Sequence, residues 1–259
     1  MSGRRAVIGL CMLCALFVSA VAAQGASAAG FTAVTCQPVV TPGPGFSKAH
    51  CKAADAVASN ATFVHAAIAP GTGTEISGSD LNTEGKHTGA VLKATVAGTA
   101  IELKATEVSG TGSMVNKEEA GEMFAHGEGV IVYKGVTEAK AGCKVVGVPG
   151  GAGVVETKPL TAATKGLAAN RLKFTPKEGT LFAEFKLEGC VVANTYKVVG
   201  SVLGVTDGTT TTTSHETITT EKTLRLQSAA GPLAGIEGTL TITGRAATGS
   251  GPYTPLGLT

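Results

Sequence analysis

Cys36 and Cys51 stand fifteen positions apart in CQPVVTPGPGFSKAHC, around the turn-forming run Pro42, Gly43, Pro44, Gly45. Thiols so placed have three chemistries open to them: metal ligation, dithiol exchange or a structural disulfide. A structural zinc site wants cysteines a few residues apart with further ligands close by, and redox catalysis favours Cys-x-x-Cys; neither pattern occurs. With Cys143 and Cys190 they form a set of four, for which three connectivities are open. Cys36–Cys51 and Cys143–Cys190 are the expected pairs, because each flanks a segment that reads as one local unit. On the chain-entropy model the shorter loop is worth about 3 kcal/mol and the longer somewhat more.

The remaining candidates for catalysis do not assemble. The histidines, at positions 50, 65, 87, 126 and 215, are scattered, and no His-Glu-x-x-His occurs. The best acidic cluster is Glu118, Glu119, Glu122, His126 and Glu128, which reads as a solvated charged loop rather than a metal site. The mature chain lacks a Gly-x-Ser-x-Gly elbow, and its aspartates, Asp55, Asp80 and Asp207, lie far apart. The Gly-Gly-Ala-Gly run at 150–153 lacks the Lys-Ser/Thr of a phosphate loop and reads as a turn. Asn60-Ala61-Thr62 is a short glycosylation-like pattern with little weight of its own. These residues predict a non-enzymatic protein with no cofactor. A secreted polysaccharide hydrolase, its site gathered from distant residues, is the alternative.

Threonine is the one residue type whose spacing suggests an interaction surface. Thr209, Thr211 and Thr213 alternate along one stretch, and Thr239, Thr241 and Thr243 along another. On a strand each set projects from one face, where regular hydroxyls can bind ordered water, ice or the hydroxyls of a glycan. Threonine is equally a good strand former on any solvated face.

The N-terminus sets the compartment. Arg4 and Arg5 precede an apolar run from Ala6 to about Ala23, and Ala20-Val21-Ala22 and Ala26-Ser27-Ala28 offer small residues for cleavage. Residues 1–28 are therefore expected to be a secretory signal peptide. Cys11 and Cys14 lie within it, and neither follows a small residue as a lipid-attachment cysteine does. In an oxidising exterior paired thiols end as disulfides. No apolar segment or sortase-like motif marks the C-terminal GPYTPLGLT, so neither a covalent anchor nor membrane insertion after cleavage is expected.

Composition narrows the partners. The whole chain carries 21 basic and 19 acidic side chains. Removing Arg4 and Arg5 with the signal brings them level, so there is no electrostatic case for nucleic acid or an anionic membrane. Tryptophan is absent and aromatics make up 4% of the chain, which weakens a stacking platform for sugars or bases. The partner expected is a cell-wall or extracellular glycan.

The elements that must position these residues are strands. In GAVLKATVAGTAIELKATEV, Ile101, Leu103 and Ala105 alternate with Glu102, Lys104 and Thr106, predicting a half-buried hairpin about Gly98. NKEEAGEMFAHGEG can form one helical turn capped by Asn116. RLKFT and LFAEFKLEGC are separated by the turn PKEG, and Asp207-Gly208 suits a type I′ hairpin pairing Val202 with Thr213. About ten short strands predict an all-β fold, an antiparallel sandwich or barrel. Residues 29–80 read as an irregular disulfide-stapled N-terminal segment, and 81–259 as the all-β domain, divisible near residue 142.

Four stretches carry a family likeness: CQPVVTPGPGFSKAHC, GAGVVETKPLTA, LKFTPKEGTLFAEF and VVGSVLGV. They resemble a group of uncharacterised secreted β-rich proteins of soil actinobacteria, whose members share a Cys-loop, a strand start like Gly-Glu-Ile-Val-Thr-x-Pro-Leu and a Phe-Ala-Glu-Phe strand. The likeness covers the Cys-loop and most of 143–205. It implies an exported β protein and brings no catalytic residues with it. Together the residues and the likeness point to a secreted, cell-surface or matrix-associated protein that acts by binding.

Overall fold

The structure, a computed structural model, describes residues 32–39, 41, 43–48, 51, 56–81, 84–167, 171–205, 224–227, 230–246 and 254–258. Among these every regular element is a strand. The N-terminal stretch forms β1 (Ala33–Pro38), β2 (Gly45–Phe46), β3 (Ala56–Val57), β4 (Phe63–Ala67) and β5 (Thr74–Ser79). The central stretch contributes β6 (Ala90–Val96), β7 (Thr99–Ala105), the long pair β8 (Glu107–Glu119) and β9 (Glu122–Lys134), then β10 (Thr137–Glu138), β11 (Lys144–Gly147) and β12 (Gly151–Ala152). After these come β13 (Val154–Glu156), β14 (Leu160–Ala163), β15 (Arg171–Pro176), β16 (Leu181–Glu188), β17 (Asn194–Val199) and β18 (Val202–Val205). The last four are β19 (Leu224–Leu226), β20 (Leu233–Gly238), β21 (Thr241–Ala246) and β22 (Thr254–Leu258).

They build two curled sheets. The larger runs β18-β15-β14-β9-β8-β5-β21-β22-β1-β4-β2-β3, with β13 also paired to β9. The smaller runs β10-β7-β6-β20-β19-β17-β16-β11-β12. The chain passes back and forth between them, so strands from both sides of residue 142 enter both sheets. The turn PKEG, residues 176–179, does not join paired strands. It carries the chain across: β15 pairs with β14 and β18 in one sheet, β16 with β11 and β17 in the other.

Two hairpins show how local sequence sets register. Val96 pairs with Thr99 and Glu119 with Glu122, leaving the two-residue loops Ala97-Gly98 and Ala120-Gly121. All four loop residues have positive φ, the backbone of a type I′ turn, whose twist matches that of the flanking strands. The stretch NKEEAGEMFAHGEG is thus the tip of a long hairpin and not a helical turn. Asn116 caps nothing there; its side chain is fully buried. Its Oδ1 accepts from the Ala33 N–H at 2.8 Å, and Nδ2 donates to the carbonyls of Ala33 and Ile68 at 2.9 and 2.8 Å. That side chain ties β1 and the end of β4 to β8, so the N-terminal segment is far more regular than its composition suggested.

The main core lies between the sheets. Phe185, Leu187, Tyr196, Leu224 and Leu226 from the smaller sheet meet Val155, Leu160 and Val202 from the larger, all buried. Phe185 and Tyr196 stack with centroids 5.4 Å apart, and the Tyr196 hydroxyl finds the Val192 carbonyl at 2.8 Å. Both expected disulfides form: Cys36–Cys51 and Cys143–Cys190, with Cα separations of 5.7 and 4.9 Å. The first staples β1 to the loop ahead of β3, the second the start of β11 to the turn between β16 and β17. No helix among the described residues is long and apolar enough to cross a membrane.

Candidate functional site: a hydroxyl-lined sheet face

Directly paired residues in a sheet share a face, so register shows what the larger sheet presents outward. Thr243 on β21 pairs with Ser77 on β5, which pairs with Thr111 on β8, which pairs with Val130 on β9. Two residues along, Thr241, Ser79, Ser109 and Val132 form a parallel rank. On the other side, Glu75, Ser113, Glu128, Thr161 and Thr175 form a third, carried on to β14 and β15. Neighbouring strands lie about 4.8 Å apart and alternate residues about 6.8 Å apart along a strand. The face is therefore a two-dimensional lattice of short hydroxyl side chains. Thr111 and Ser113 at its centre are exposed; Ser77, Ser79, Ser109, Thr241 and Thr243 are half-buried.

The sequence folds this way because of what alternates with the hydroxyls. The strands read ISGS at 76–79, SGTGS at 109–113 and TITG at 241–244, so glycine and isoleucine take the inner face. A Cβ on Gly112 would run into the Glu128 carbonyl, and one on Gly129 into that of Thr111. Only glycine permits this close approach of β8 and β9. On Gly78 a Cβ would stand 3.0 Å from the Leu240 side chain, which packs on that glycine. The hydroxyl lattice is the outer surface of a glycine-lined, tightly curled sheet.

At its far edge the lattice carries charge. Lys177 Nζ lies 2.5 Å from Glu128 Oε2, and His126 Nε2 lies 3.8 Å from Glu128 Oε1. The hydrogen bond from Lys177 holds the Glu128 carboxyl below its ordinary value and raises the Lys177 ammonium. Burial, helped by the positive charge of Lys117, pushes the His126 imidazole down against the opposing pull of Glu128. Near neutral pH this edge thus presents a closed ion pair. Away from it, neutral hydroxyls that both donate and accept dominate β5, β8 and β21, bordered by Val130 and Val132 on β9 and Glu75 on β5.

Of the predicted interaction residues, Thr241 and Thr243 sit on this face. The Thr243 hydroxyl donates to the Ser77 carbonyl at 3.2 Å. Thr239 does not join them: it precedes β21 and lines the space between the sheets. Thr209, Thr211 and Thr213, with the Asp207-Gly208 turn, lie outside the described residues. The five central positions Ser77, Ser79, Ser109, Thr111 and Ser113 escaped the sequence reading, although the hydroxyl–glycine alternation SGTGS was a signal for them. The acidic cluster divides in two: Glu119 and Glu122, paired at the hairpin tip, meet Lys165 Nζ at 2.7 Å and the Gly166 N–H at 3.3 Å, while His126 and Glu128 lie at the edge of the hydroxyl face. Among the described residues no group of three or more His, Cys, Asp or Glu could hold a metal.

A second polar constellation, at the β5–β6 crossover, is architectural. Asp80, fully buried, bonds His87 Nδ1 at 2.5 Å and accepts the Gly89 N–H at 2.6 Å, while its own carbonyl takes the Thr88 hydroxyl at 3.0 Å. Gly89 has φ of +70°, and a Cβ there would strike the Ala105 carbonyl. Asp80 thereby fixes the turn through which the chain leaves the larger sheet for the smaller. Comparison of the chain with protein-family models, curated proteins and solved structures finds no match.

Proposed function

We propose that this chain is an exported, non-enzymatic protein of the cell surface or extracellular matrix. In this reading it acts by binding, and its partner is a cell-wall or extracellular glycan held on the hydroxyl-lined face. The observation that carries the reading is the lattice itself: seven Ser and Thr side chains in register on three adjacent strands. A near-neutral, donor-and-acceptor surface suits an uncharged polyhydroxylated polymer better than a phosphate-bearing one, whose capture relies on clustered cations. The signal-like residues 1–28, the likeness to secreted actinobacterial proteins and the two disulfides all favour an oxidising exterior.

The test is co-sedimentation of the purified mature protein with isolated cell walls and a panel of insoluble polysaccharides, followed by assay of the supernatant for released sugar. Retention without release is the expected result. Thr111→Lys places a charged, longer side chain at the exposed centre of the lattice and should reduce retention at least tenfold while leaving the circular dichroism spectrum unchanged. Sugar release would contradict the non-enzymatic reading, and undiminished retention of Thr111→Lys would remove the face from the account.

A further inference from the structure

The space between the two sheets is not fully filled. Two voids of about 60 and 50 Å³ lie within it, and a third of about 50 Å³ lies in the curl of the larger sheet, lined by that sheet's strands and by Leu240 beside β21. They are neighbours: the first and second share Ala90, Tyr133, Phe182 and Ile236, and the first and third share Ile131, Phe174 and Leu240, while the second and third share none. The first void therefore stands between the other two. Small residues leave the room, since Ala90, Gly204 and Gly238 line the middle void and Gly110, Gly127 and Gly129 the third.

Protein interiors close-pack, and gaps larger than a water are few. Each void here exceeds the roughly 10–15 Å³ that one water needs, but a buried water also needs two to four polar partners. Among the described residues that line the second void the only polar side chain is Tyr133; the rest are aliphatic or aromatic. Such a space is poorly suited to water and well suited to an apolar guest. Ile131, Tyr133, Phe174, Ile236 and Leu240, which line the voids, are half-buried rather than buried.

We infer that the intersheet space, with the adjoining curl of the larger sheet, is a binding site for one slender apolar molecule, a single alkyl or acyl chain, threaded along the three voids. Three voids in series, each of only about 50–60 Å³, suit an extended chain better than a compact ring system. The first two voids share no lining residue with the hydroxyl face, whereas Thr111 and Glu128 border the third; a change at Ile236, which touches only the first two, tests this site apart from that face.

The probes are xenon, followed by xenon-129 NMR, and a series of straight-chain alcohols from hexanol to dodecanol below their critical micelle concentrations, with adamantanol as the compact competitor. The expected results are a saturable xenon shift, a 1:1 rise in melting temperature with the alcohols that grows with chain length, and weaker binding of adamantanol. Ile236→Phe, which adds bulk where the first two voids meet, should weaken dodecanol at least tenfold while the unliganded melting temperature holds or rises. If that variant fails to fold, Val108→Ile narrows the middle void more gently and should weaken dodecanol in the same direction. Absence of a xenon shift, adamantanol binding as well as dodecanol, or unchanged dodecanol affinity in a folded variant would overturn the inference.

Discussion

Replacing Asn116 by alanine should cost this protein more than any other single polar change, and the size of the loss follows from its three hydrogen bonds. The side chain has no exposed surface, and its partners are main-chain groups of Ala33 and Ile68, both also buried. The Ala33 carbonyl keeps a second partner, the Ile68 N–H at 3.1 Å. The Ala33 N–H and the Ile68 carbonyl lose the partner that Asn116 supplies. An unsatisfied buried group costs about 1–3 kcal/mol, so two of them predict a loss of about 2–6 kcal/mol. For a chain of this size each kcal/mol moves the melting temperature by about 2–4 °C. A mid-range loss of about 4 kcal/mol therefore lowers it by about 8–16 °C. Asn116→Asp should do no better, since its second oxygen would face two carbonyls where an amide donated. Urea unfolding followed by circular dichroism measures the loss; tyrosine fluorescence is a second probe, undisturbed by tryptophan. A loss below about 1 kcal/mol for Asn116→Ala would refute the claim that this side chain holds the N-terminal strands to β8.

Three further outcomes follow from the same geometry. Burial alone would raise the Asp80 carboxyl, but its bonds to His87, Gly89 and Val108 outweigh that and hold it below the ordinary value. Its contribution is therefore complete above the unfolded value of about 3.9 and is lost as pH falls through the lower folded value. Urea titrations from pH 6 to 2 should show the gap between wild type and Asp80→Asn closing at the acid end, and a constant gap would contradict this. Loss of the Cys143–Cys190 bridge, through the double serine variant, should cost about 4 kcal/mol for its 47-residue separation, against about 3 for Cys36–Cys51 at 15; equal melting temperatures for bridged and unbridged protein would refute it. Gly112→Ala should destabilise by more than about 2 kcal/mol through overpacking against the Glu128 carbonyl, whereas Gly98→Ala, with open space around its Cβ, should suffer only the strain of its positive φ.

What the sequence disclosed was what local pattern can encode. Alternation through Ile101, Leu103 and Ala105 marked a strand with one buried face, and the cysteine pairs could be read because each closes a local unit. The β8–β9 hairpin was hidden for two reasons. Its turn is Ala120-Gly121, without the Asn or Asp that usually signals a type I′ loop, and the charges at its tip imitate a helical surface. Glycine concealed the lattice: SGTGS alternates outward hydroxyls with inward glycines, and glycine carries no hydropathy by which an inner face is recognised. Sheet membership is not local at all. RLKFT and LFAEFKLEGC are neighbours across the turn PKEG, and only the pairing of β15 with β18 and of β16 with β11 shows that they enter different sheets. The same holds for the candidate face, since Thr243, Ser77 and Thr111 are distant in sequence and meet only through register.

The central claim, that the hydroxyl-lined face holds an extracellular glycan, is tested most directly by a depletion isotherm on isolated cell walls. Wild-type protein is compared with Thr111→Lys and with Lys186→Thr, an exposed change on the other sheet. Saturable binding is expected for wild type and Lys186→Thr alike, and at least a tenfold loss for Thr111→Lys. Equal isotherms for all three proteins, or no saturable binding by wild type, would contradict it.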